Sequence, residues 1–170
     1  MKPSELHFLR CTREVLGQSR LWMESQYVQH GVTSTLLHSL AVAYFALCIA
    51  RLLRLAVSER SLIRGALLHD YYLYDWHDAS AHPPLHGLNH PRVAWENAMR
   101  DLPEPLNDVE QDVILKHMFP LTPVPPACRE SALVCLADKL CAVYETFARK
   151  QPYPHLQRIS ALLAQPQEIR

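Results

Sequence analysis

Apolar residues recur three and four positions apart along almost the whole chain, and the β-branched runs expected of strands are absent. The spacing predicts a first helix over Ser4 to Gln18, with Leu6, Leu9, Val15 and Leu16 facing inward, and a short second one over Leu21 to Gln29. Gly31 to Ser34 breaks the pattern and offers a cap for a long helix from about Thr35 to Leu53. Ser58 caps the next, which carries Leu62, Ile63, Ala66 and Leu67 up to His69 and Asp70. From Tyr71 to Asn89 the periodicity vanishes, and an irregular stretch of that length inside a compact domain is usually functional. Pro91 suits the first turn of a helix that runs to about Met99. Further helices are expected over Asn107 to His117, Arg129 to Arg149 and Leu156 to Leu163, with Leu121 to Pro126 as a stiff connector. The expectation is an all-α, single-domain helical bundle over residues 1–170.

Composition narrows the function classes. Lys plus Arg and Asp plus Glu are both 17, so the chain has no net charge and no global footprint for a nucleic acid duplex or an anionic membrane. The five cysteines are an odd number without a Cys-x-x-Cys pair, which argues against a disulfide framework or structural zinc knuckle. It suits a reducing cytoplasm. The first residues lack the apolar stretch of a signal peptide. Residues 31–50 contain no Lys, Arg, Asp or Glu and could match a bilayer in length. Thr33, Ser34, Thr35, His38 and Ser39 interrupt that stretch, so a buried core helix of a soluble protein is expected instead. The unusual figure is 10 histidines, seven of them between positions 38 and 117.

Several of these sit where a histidine or carboxylate is costly. Asp138 has Val134, Cys135, Cys141 and Ala142 as its helical neighbours, so its charge is driven towards burial and needs a positive partner. His38 lies among Ser34, Thr35, Ala41 and Val42, and His117 among Val113, Ile114, Pro120 and Leu121. His69 follows Gly65 and Ala66; Asp70 follows Ala66 and Leu67. Any one of them alone is most simply a hydrogen-bonded core residue, or half of a buried ion pair. Together, imidazoles and carboxylates converging from several helices suit a first-row divalent metal.

The ordered set His38, His69-Asp70, His90, His117 and Asp138 resembles the HD-domain superfamily of metal-dependent phosphohydrolases. The local text agrees: Leu67-Leu68-His69-Asp70 at a helix end, His90-Pro91 opening a helix, and Leu136-Ala137-Asp138-Lys139 within a long one. The run Ser61 to Trp76, followed by His86-Gly87-Leu88-Asn89-His90-Pro91, looks like a bacterial subgroup, and the likeness covers about Ser34 to Phe147. Tyr71 to Tyr74 stands where many phosphodiesterase relatives carry Gly-Lys, and the Gly-Tyr-Pro motif of the cyclic-di-GMP-degrading branch is absent.

The resemblance implies that His38, His69, Asp70 and Asp138 hold one metal. Asp70 would bridge to a second, completed by His90 and His117, with His86 as an alternate ligand or a support for His90. Two divalent ions among Mn, Fe, Co, Ni and Zn would outweigh the two carboxylates and favour a small phosphorylated substrate, nucleotide-like in class. Asp70 and Lys139 are the catalytic candidates. Lys116, Arg64 and Tyr74 are the substrate-binding candidates, although a lysine beside a ligand on a helix can equally face solvent. His77 and His82 belong to the loop, while Asp75 and Asp78 could orient a ligand histidine. The ligand set also serves di-iron oxygenases within this superfamily, and a non-catalytic metal- or nucleotide-binding module is the remaining alternative. A homo-oligomer is compatible with all three.

Overall fold

A computed structural model describes residues 3–81 and 84–163, so His82 lies outside the described residues. Helix α1 (Pro3–Gln18) leads into a 3-10 turn, Leu21–Gln26. A small antiparallel hairpin follows, β1 (Val28–His30) with β2 (Thr33–Ser34), where the periodicity predicts the end of a helix. The reason for the difference is tertiary. Gly31 turns the hairpin at φ 56°, and a β-carbon there would lie 2.6 Å from the Glu145 carbonyl oxygen, so this turn is seated against helix α6 (Arg129–Phe147).

The remaining helices are α2 (Thr35–Leu52), α3 (Glu59–Leu68), α4 (His86–Asp101), α5 (Asp108–Lys116) and α7 (Pro154–Leu163). Their starts follow local chemistry. The Ser34 hydroxyl accepts from Leu37 N, and the Ser58 hydroxyl from Ser61 N, each satisfying an orphan amide of a first turn. Asn107 and Glu110 form a reciprocal capping box at α5. Helix α4 begins one turn before the expected site at Pro91. Leu85, in left-handed conformation, accepts from the amides of Leu88 and Asn89 and closes that extra turn.

Helix α2 is the central element: it packs on α3, α6 and α7, while α5 bridges α3 and α6, and α1 and α4 cover the flanks. By length and composition α2 could cross a membrane, yet 67% of it is buried inside the protein. Its buried residues include His38 beside Leu37, Leu40, Ala41 and Val42. The bundle therefore places polar groups of α2, α3, α4, α5 and α6 around one point.

Candidate metal centre

Histidines 69 and 117 are presented by the same device. Each is the C-terminal cap of its helix, α3 or α5, in helical backbone conformation. Each turns Nδ1 back onto a carbonyl of the last turn: His69 to Ala66 O at 2.7 Å and His117 to Ile114 O at 2.8 Å. A carbonyl only accepts, so the proton sits on Nδ1 and the Nε2 lone pair points forward. His90 does the same from α4, with Nδ1 3.0 Å from His86 O. The Nδ1 of His38, on α2, is 2.8 Å from Glu145 Oε2. All four Nε2 atoms are left to converge.

They converge on two carboxylates. Asp70 Oδ2 is 3.3 Å from His69 Nε2 and 3.8 Å from His38 Nε2, and Asp70 Oδ1 is 3.2 Å from His90 Nε2 and 3.6 Å from His117 Nε2. Asp138 Oδ1, from α6, completes the first side at 3.1 Å from His38 Nε2 and 3.7 Å from His69 Nε2. All six residues are buried. The ligand atoms of His38, His69 and Asp138 lie within 4.8 Å of one another, as do those of His69, Asp70 and His117.

The donor set fits divalent cations. His69 Nε2 and Asp70 Oδ1 are buried without a hydrogen-bond partner among the described residues, which is expensive unless a ligand satisfies them. The Nε2 atoms of His90 and His117 face each other at 2.8 Å although both Nδ1 atoms carry the proton. Two lone pairs at that distance repel, but they suit two ligands of one cation with bonds of about 2.1 Å.

The metal-free electrostatics agree. Burial alone would raise the Asp70 carboxyl, yet His69, His90 and His117 around it hold it below the usual carboxylate range. Asp138 is likewise held down by His38 and His69 against the effect of burial. Burial works against a charge on His38, but Asp138 and Glu145 outweigh it and keep its pKa well above 6.5. His117, buried beside His69 and His90, is pushed down to about 3. Cation and proton therefore compete for the same acidic side of the site, at His38 and Asp138.

The centre opens into a cavity of about 560 Å³, lined by Asp70, His90, His117 and Asp138 at one end and by Trp76, His86, Met118, Leu121 and Lys139 along its walls. A family model for the HD domain matches residues 35–143. This chain belongs to the HD-domain family. No curated protein and no solved structure matches it. The fold and the two His/Asp clusters of this HD domain are those of a metal-dependent phosphohydrolase.

The other residues singled out in the sequence take varied places. Lys139 lines the cavity; its Nζ donates to His117 O at 2.8 Å and lies 3.9 Å from Asp138 Oδ2. His86 stacks on His90 with ring centroids 4.7 Å apart, and its Nδ1 meets the Tyr74 hydroxyl at 3.0 Å, so it stands beside the converging nitrogens rather than among them. Tyr74 packs on Tyr72 and reaches the cavity through His86. Two assignments need correction. Arg64 is buried away from the cavity, 2.7 Å from Glu110 Oε2, with its guanidinium also on the carbonyls of Glu104 and Pro105. Its role is to tie α3 to the start of α5. Lys116 pairs with Asp112 one turn back along α5 and does not line the cavity. Asp75, in turn, accepts from His77 in the exposed loop.

Three contributors escaped the sequence reading. Glu145 orients His38; it lies seven residues after Asp138 and so on the same face of α6, a spacing that could have flagged it. Gln29 donates to Asp70 Oδ2 at 2.7 Å, and His30 lines the cavity. Both come from the hairpin, which has no periodic signature.

Proposed function

We propose that this HD-domain protein hydrolyses a small, nucleotide-like phosphate ester, mono- or diester, using two divalent transition-metal ions drawn from Mn, Fe, Co, Ni and Zn. One observation carries the reading. Asp70 presents one oxygen to His38 and His69 and the other to His90 and His117, at the floor of a ligand-sized cavity. A carboxylate shared in this way would let one residue serve two cations at once. The residues that would hold them are His38, His69, Asp70 and Asp138 on one side and Asp70, His90 and His117 on the other. Bound there, divalent cations supply Lewis acidity and a water of lowered pKa.

The protein's own groups do the rest. Two carboxylates and neutral imidazoles leave an excess of positive charge once dications are bound, which draws a phosphate to this end of the cavity. Lys139 adds an ammonium on the adjoining wall. Trp76 and His86, whose ring planes lie only 8° apart, put aromatic surface on the cavity wall against which a nucleobase can pack. The apolar stretch of Met118, Pro120 and Leu121 excludes water from the opposite end of such a ligand. The five unpaired cysteines support a cytoplasmic setting for this chemistry.

The test is hydrolysis of a panel of nucleoside monophosphates, cyclic nucleotides and simple phosphate esters, read as phosphate release from the monoesters and as monoester formation from the diesters, with manganese or iron added to protein stripped of metal. Metal-dependent hydrolysis that disappears in Asp70→Ala is expected. Full turnover in a folded Asp70→Ala variant, or no hydrolysis of any ester by metal-loaded protein, would refute the reading.

A further inference from the structure

The carboxylate between the two histidine groups is gripped from outside the helical core. Gln29, on β1, is 8% exposed and donates from Nε2 to Asp70 Oδ2 at 2.7 Å. An ionised carboxylate can only accept, so the amide must turn its NH₂ towards Asp70 and its oxygen away. That oxygen is secured in turn: Gln29 Oε1 accepts from the Thr35 hydroxyl at 3.3 Å and from the Tyr72 hydroxyl. Tyr72 is itself fixed, 2% exposed and edge-on to His90 with ring centroids 5.7 Å apart. The hairpin behind Gln29 is anchored by Thr35 N donating to Tyr27 O at 2.9 Å and by the close approach of Gly31 to Glu145 O.

We propose that Gln29 is a positioning residue of the metal centre: it fixes the plane of the Asp70 carboxylate so that Oδ1 is given wholly to the His90 and His117 side. Without the amide, the carboxylate is free to rotate about its Cβ–Cγ bond, and its two oxygens no longer address the two histidine groups at once. Gln29 lies before residues 35–143, the part of the chain matched by the HD-domain family, so the hairpin completes the centre from outside that span. The inference rests on the reading of Asp70 as a bridging metal ligand.

The experiment uses the full chain, stripped of metal and titrated with cobalt(II), whose visible absorption reports both affinity and coordination. Gln29→Leu is expected to weaken cobalt binding by about 10–100-fold and to alter the shape of the absorption band. A purely structural role would lower the unfolding midpoint and leave the affinity and band of the folded protein as in wild type; that result overturns the proposal. Tyr72→Phe removes one hydroxyl that orients the amide without touching Asp70, and is expected to weaken binding by a smaller factor. It decides the matter should Gln29→Leu not fold, since unaltered binding in Tyr72→Phe counts against the clamp. Asp70→Ala separates the two levels. If it binds cobalt like wild type, the metal-site reading fails. If it loses cobalt while Gln29→Leu does not, only the role of Gln29 falls.

Discussion

Helices α3 and α5 meet where Gly65 faces Val113, and Gly65→Ala tests whether that contact sets the spacing of the metal ligands. A β-carbon at position 65 would stand 2.9 Å from Val113 Cβ and 3.0 and 3.2 Å from its two γ-carbons. Carbon atoms settle at about 3.5–4.0 Å, so the helices must part locally by roughly half an ångström or more. Residues four apart share a helix face. Gly65 therefore lies directly behind His69, and Val113 directly behind His117, whose ring centroids are 4.8 Å apart. Overpacking of this kind costs about 1–3 kcal/mol. The better helix propensity of alanine returns about 1 kcal/mol. The net expectation is a loss of roughly 0–2 kcal/mol in urea unfolding of the metal-free protein, with a larger effect on cobalt affinity, because a site of this type tolerates only about 0.5 Å of misplacement. Adding Val113→Ala removes the γ-carbon clashes but leaves the Cβ contact, so the double variant should recover part of the affinity. A Gly65→Ala protein that gained about 1 kcal/mol, as propensity alone dictates, and bound cobalt like wild type would show that this contact does not govern the ligands.

Two further predictions concern buried charge. Glu24, in the 3-10 turn, is fully buried with both carboxyl oxygens lacking a hydrogen-bond partner among the described residues, and burial pushes its pKa well above 4.5. The folded protein thus keeps a proton that the unfolded chain releases above pH 4.5, so the group's contribution to stability is lost as pH rises. Glu24→Gln should raise the unfolding midpoint more at pH 8 than at pH 5, and an equal gain at both would contradict the assignment. Arg64→Met leaves Glu110 buried without its partner and should cost about 3–5 kcal/mol in unfolding while leaving cobalt affinity intact. Weakened cobalt binding with unchanged stability would instead return Arg64 to the site.

The ligands were legible for a reason that does not extend to their supports. His38, His117 and Asp138 each interrupt an apolar helix face, and a polar group in such a place announces burial and a need for partners. Arg64 interrupts a helix in the same way, but its partner Glu110 lies 46 residues on, and nothing local separates a buried ion pair from a phosphate-binding arginine. The hairpin was invisible because strands of three and two residues carry no period; its pairing is decided by where Gly31 can dock on α6. The start of α4 was misplaced because a proline in a first turn is the common pattern, whereas here the left-handed Leu85 opens the helix earlier.

The seating of the hairpin bears on how such a centre can change over generations. The clustered histidines and carboxylates are confined by burial on five packed helices. The amide that aims Asp70 sits instead on a short β-ribbon ahead of the family's span, docked on α6 through Gly31 but outside the helices that carry the histidines and carboxylates. Substitutions there can change how the Asp70 carboxylate is held while the buried His/Asp clusters keep every residue. A comparison confined to those clusters would not register such a change.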